Sequence, residues 1–96
     1  MITLHIEHEI RDFDTWKAAF DSDPARRAEA GVRRYVIRRP VDRPLHMIID
    51  LEFDDRRRAD AMLAVLENMW RSPRAISAVS GPIGATILER VEARDL

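Results

Sequence analysis

His5 and Glu7 stand two residues apart, and Asp50 lies in a second stretch of similar alternating character. If both stretches are strands, His5 and Glu7 project to one side with their Cα atoms about 7 Å apart, close enough to share a substrate. Imidazole titrates near neutrality, so His5 could take a proton from a phenol or an activated methylene while Glu7 or Asp50 orients the ring. The same three groups could instead satisfy one another as an ion-paired network at an interface, because structural networks also gather ionisable groups. Tyr35, Ile48 and Thr86 are candidate ligand contacts on the same face. Tyr35 is the only tyrosine, and its phenol either hydrogen-bonds a ligand or caps a packed ring.

Other reactive groups are sparse. His46 shares a parity with Asp50 but stands beside a proline-bounded turn, and His8 has the opposite parity near a strand end, so both read as edge residues. No HxH, HxxxH or HExxH spacing occurs, and no metal site is expected. With only 3 glycines there is no phosphate-cradling loop and no flavin or nicotinamide fingerprint, so no cofactor is expected.

Positioning these groups requires strands. Leu45, Met47, Ile49, Leu51 and Phe53 alternate with His46, Ile48, Asp50 and Glu52, so one face of this stretch is core and the other is mixed. Residues 2–10 alternate in the same way, with Ile2, Leu4 and Ile6 opposed to Thr3, His5 and Glu7. The period becomes helical at Phe13, Trp16 and Phe20, with Asp12 as the cap. Pro24–Ala30 reads as a second helical piece ending at Gly31. A strand follows from Val32 to Arg39, then a loop bounded by Pro40 and Pro44. Asp54 or Asp55 caps a helix with the apolar stripe Ala59, Met62, Leu63, Leu66, Met69 and Trp70. Ser72 and Pro73 start a short turn through Ala78, and Gly81-Pro82 precedes a last strand, Ile83–Val91.

This order is that of a ferredoxin-like βαββαβ domain of the α+β class, spanning residues 1–96 as a single unit. Right-handed crossovers put the first and third strands of its antiparallel sheet in the middle and both helices on one face. The other face would carry His5, Glu7, Ile48 and Asp50, with Tyr35, Ile37, Thr86 and Leu88 expected beside them. It is too apolar to stand wet, and so small a chain gains from a partner. A homodimer with two sheets packed face to face is expected.

The 16 basic and 17 acidic residues give a net charge of -1, and there is no cysteine. Arg56-Arg57-Arg58 and the pairs at Arg33 and Arg38 lie close to Asp54, Asp55, Asp60 and Asp42. A mixed-charge surface follows, with no nucleic-acid partner. No apolar run approaches the roughly 20 residues that cross a bilayer. The amino terminus lacks the basic-then-apolar order of a signal peptide, so no membrane contact and a cytoplasmic location are expected.

Over its whole length the chain resembles the dimeric α+β barrel superfamily, which includes antibiotic-biosynthesis monooxygenases, polyketide cyclases, heme-degrading enzymes and stress-responsive barrels. Asp12-Phe-Asp-Thr-Trp-Lys-Ala-Ala-Phe20, Arg39-Pro-Val-Asp42, Ile49-Asp-Leu-Glu-Phe-Asp54 and Trp70-Arg-Ser-Pro73 resemble small bacterial proteins of that kind, some loosely labelled cyclases. The resemblance implies a small apolar aromatic or polyketide-like ligand and a cofactor-independent monooxygenase or cyclase. The alternative is a non-enzymatic binding or stress-responsive barrel. Heme-degrading relatives carry a histidine soon after the tryptophan of the second helix, and residues 71–96 contain none. Trp70, with Phe13, Trp16 and Phe20, therefore reads as core.

Overall fold

A computed structural model describes residues 1–73 and 78–96. Its elements are β1 (Ile2–Ile10), α1 (Phe13–Asp21), β2 (Arg34–Arg38), β3 (His46–Phe53), α2 (Arg56–Trp70) and β4 (Val79–Glu89). The strands form one antiparallel sheet in the order β2-β3-β1-β4, the ferredoxin-like arrangement, with β1 and β3 central.

Alternation on the central strands sets the core. Leu4, Ile6, Met47, Ile49, Leu51 and Phe53 turn to one face and are buried against Trp16 of α1 and Ala59 and Met62 of α2. Burying side chains of this size contributes about 1.5–3 kcal/mol each, so the opposite register is excluded. Leu45 has the core parity but precedes β3 and stays exposed. Each helix starts on an aspartate: Asp12 Oδ2 accepts from the Thr15 amide at 2.8 Å, and Asp55 Oδ1 from the Arg58 amide at 2.9 Å.

Three expectations are corrected. Pro24–Ala30 forms turns rather than a helix. Asp23 (φ 53) and Arg26 (φ 51) take left-handed conformations that no α-helix accommodates, and Asp23 Oδ1 accepts from the Arg27 amide instead of capping a new helix. The last strand starts at Val79, not Ile83. Between Glu7, opposite Gly84, and Glu9, opposite Ser80, the ladder slips and β4 bulges around Gly81 (φ 78) and Pro82. An edge strand tolerates this because its outer amides need no partner. Thirdly, Tyr35 and Ile37 do not share the face of His5. They lie opposite Leu51 and Ile49 and so point to the helix side, while Arg34, Val36 and Arg38 take the other. The turn expected from Ser72 to Ala78 lies, over 74–77, outside the described residues.

Candidate functional site

Parity brings His5, Glu7 and Asp50 together on the face away from both helices, and the register places Asp50 and Thr86 on either side of His5 and Ile48 beside Glu7. His5 Nδ1 lies 2.6 Å from Asp50 Oδ1, and its Nε2 lies 2.9 Å from Glu7 Oε2. The other oxygen of Glu7 is 2.8 Å from His46 Nε2, and His46 Nδ1 is 2.8 Å from Glu9 Oε1. Arg38 Nη1 donates to Asp50 at 2.8 Å, Arg34 Nε donates to Glu52 at 2.9 Å, and Arg43 donates to Glu9. Among the described residues no buried side-chain nitrogen or oxygen lacks a partner.

This arrangement shifts the protonation equilibria of its members. The contact with Glu7 first, then that with Asp50, raises the pKa of His5 above the ordinary histidine value, against the opposing pull of partial burial. His46 is raised by Glu7 and then Glu9. Glu7 is lowered in turn by His46 and His5. A protonated His5 with a carboxylate on each nitrogen has no lone pair with which to take a substrate proton. His46, read from sequence as an edge residue, is a full member of the network.

A cavity of about 730 Å³ lies on the other side of the sheet, between it and the two helices. Ile6, Ile49 and Leu51 form its floor, Trp16 and Phe20 the α1 wall, and Leu66 and Trp70 the α2 wall. The polar groups on this mostly apolar surface include His8, Arg27 and Asn68. Its size and lining are those of a small-molecule site. Trp70, expected to be plain core, is half-buried and faces this space.

His8 is 6% exposed and meets the Trp16 ring edge-on, with ring centroids 5.8 Å apart. Burial holds its pKa below the ordinary value despite the nearby carbonyl of Glu9. The neutral ring donates from Nδ1 to that carbonyl at 3.3 Å, which leaves Nε2 as the basic nitrogen. The aromatic row continues through Trp16 to Phe20 (5.3 Å) and from Phe20 to Tyr35 (5.0 Å). Arg27 covers the Phe20 ring at 3.8 Å and donates to the Phe20 carbonyl at 2.8 Å. Tyr35 thus belongs to the helix side, in a shallow groove next to Arg27.

Sequence reasoning missed this cavity. A partial signal exists: His8 is the ionisable residue on the core parity of β1, and Arg34, Val36 and Arg38 alternate with Tyr35 and Ile37. The space itself depends on where the helices and the 22–33 connection settle, which strand periodicity does not carry.

No family model and no curated protein matches the chain. Solved structures do. A cofactor-independent oxygenase from Streptomyces nogalater, SnoaB, superposes with a TM-score of 0.66 at 14% identity, covering 96% of this chain and 94% of that one. An antibiotic biosynthesis monooxygenase gives 0.69 at 14% identity over 96% of this chain and all of the other. A dimeric ferredoxin-like protein from an uncultured marine organism gives 0.65 at 13% identity over 97% of each. At these identities the likeness is one of fold.

Proposed function

We propose that two copies of this chain pair through their open sheet faces, and that each binds a small hydroxylated aromatic or polyketide-like molecule in the cavity beneath its helices. The activity class is that of a cofactor-independent monooxygenase. The observation that carries this reading is the 730 Å³ cavity with a buried, neutral histidine in an otherwise mostly apolar wall. Apolar walls supply affinity through burial, and the aromatic row offers rings to stack on. His8 Nε2 is the base that takes the phenolic proton, and the electron-rich anion so formed bonds through a ring carbon to dioxygen. The O–O and ring C–H bonds then break to leave a quinone carbonyl, and the second oxygen leaves as water with the ring hydrogen and the proton held by His8. His8 suits the task because burial favours its neutral, basic form, whereas the carboxylates on both nitrogens of His5 favour the charged one.

Similarity in fold to a cofactor-independent oxygenase and to a dimeric ferredoxin-like protein supports both the reaction class and the pairing. His5, Glu7, Asp50 and Thr86 are assigned to the pairing face, and Ile48 supplies apolar contact there. The ligand then lies in the cavity and not on the open face.

The test is titration with a hydroxylated tricyclic aromatic while following tryptophan fluorescence and oxygen uptake. Trp16 and Trp70 both line the cavity, so binding quenches emission. Leu66→Trp, which fills the space, should weaken binding by at least ~10-fold, or about 1.4 kcal/mol. His8→Gln should keep binding and lose oxygen uptake. Quenching that is insensitive to Leu66→Trp would place the ligand outside the cavity. Binding without oxygen uptake by the wild-type chain would leave a non-enzymatic binding barrel.

A further inference from the structure

Arg38, Asp50, His5, Glu7, His46, Glu9 and Arg43 form an unbroken chain across the open face, each in contact with the next. With both imidazoles doubly protonated, the signs alternate along its whole length. A neutral imidazole has one N–H and one lone pair. His5 carries carboxylate oxygens at 2.6 and 2.9 Å on its two nitrogens, and His46 carries them at 2.8 Å on both. Neutralising either ring therefore turns a lone pair onto a carboxylate.

The surroundings reinforce this arrangement from each element. β1 contributes Glu7 and Glu9, and β3 contributes Asp50 and Glu52. The arginines of β2, Arg34 and Arg38, are taken up by Glu52 and Asp50, and Arg43 of the β2–β3 turn by Glu9. β4 sets Gly84 and Thr86 opposite Glu7 and His5 and adds no ionisable group there.

We propose that this face is a proton-gated contact between two copies of the chain, closed while His5 and His46 are both imidazolium and released when they become neutral. The inference rests on the pairing proposed above and adds its control. A second copy fits because the face is self-complementary: the arginines of the β2 edge are more than half exposed, and the Glu7 and Glu9 carboxylates of the central β1 are half-exposed. A two-fold contact sets the edge of one copy toward the middle of the other.

In the separate chain, water can serve a lone pair or a carboxylate that has lost its donor. Once a second sheet covers the face, water is excluded and the unmatched pair is costly. Both histidines are raised above their ordinary value of 6.5. Association is therefore at full strength below the raised values of the free chain and weakens as pH rises through and above them. The expected slope is about tenfold in Kd per pH unit for each proton released on dissociation.

Sedimentation velocity on the full chain from about pH 6 to about pH 9, at fixed ionic strength, tests this. The wild-type dimer Kd should rise at least ~10-fold across the range. Glu7→Gln removes the carboxylate that bridges both rings and should move the midpoint to lower pH. The double variant His5→Gln, His46→Gln should give a flat profile. If that variant does not fold, the wild-type and Glu7→Gln curves decide. A dimer whose Kd is constant with pH, or a Glu7→Gln midpoint that does not move, overturns the gating and leaves the pairing intact. A monomer at every pH overturns the pairing and the gating with it.

Discussion

Three histidines on neighbouring strands have opposite electrostatic fates, decided by which way each side chain points. His8 lies under Trp16 and is held neutral by burial, while His5 and His46 lie between carboxylates that favour the charged form. His8 therefore ties stability to pH on the acid side: its folded pKa is below the unfolded value of 6.5, so its contribution is complete above that pH and is lost as pH falls through it. Chemical denaturation between about pH 6.5 and about pH 5, below the range in which His5 and His46 titrate, should show stability falling on acidification, and His8→Gln should flatten that limb. Glu7 and Glu9 act lower still, since their folded pKa values lie below 4.5 and their contribution fades as pH drops beneath it. A His8→Gln profile that overlays the wild type over the upper window would show that His8 is not the group responsible.

Among the elements, the helices depend on their first residues and the α1–β2 connection on its backbone. Asp55 accepts the Arg58 amide and also the Arg58 guanidinium, so Asp55→Ala leaves an amide uncapped at the start of α2 and should cost about 1 kcal/mol in urea denaturation. Gly31 has φ +99, and a Cβ there would stand 2.5 Å from Cδ of Arg58. The side chain can move, but the left-handed backbone cannot be avoided, so Gly31→Ala should destabilise by about 1 kcal/mol. A loss in the Gly31 variant restored by truncating Arg58 would assign the effect to contact rather than backbone strain. Because this connection carries Arg27 into the cavity wall, ligand affinity should fall along with stability in that variant.

At the scale of the whole molecule, the sheet has one face covered by helices and one open. Leu88 is 43% exposed there, with Ile48 and Val36 half-buried on the same side. Light scattering should report a particle of twice the 11.1 kDa chain mass. Ile48→Asp adds a carboxylate beside Glu7 in an already acidic part of the face and should shift the particle to monomer, since an unpaired buried charge costs several kcal/mol. Retention of the dimer by Ile48→Asp would place the contact on another surface. No helix among the described residues is long and apolar enough to cross a membrane.

The sequence by itself determined the order of elements, the sheet topology, the Asp12 cap of α1, the cap of α2 to within Asp54 or Asp55, and the side of the sheet to which His5, Glu7 and Asp50 point. Each follows from a local period of two or 3.6 residues and from short-range capping, which a single chain segment carries in full. Arg34 and Arg38 alternate with Tyr35 and Ile37, but Tyr35 and Ile37, expected on the open face, are turned to the helix side only by the register with β3. Only the tertiary structure decided that the Pro24–Ala30 segment turns back rather than coils, because its left-handed residues answer to Phe20, Arg27 and the sheet rather than to their own propensities. It alone decided that His46 joins His5 through Glu7, since that link depends on the register between β1 and β3. The cavity, too, exists only between elements: its volume is the gap left when two helices and a loop settle over the apolar face of the sheet, and no run of residues in the chain encodes a gap.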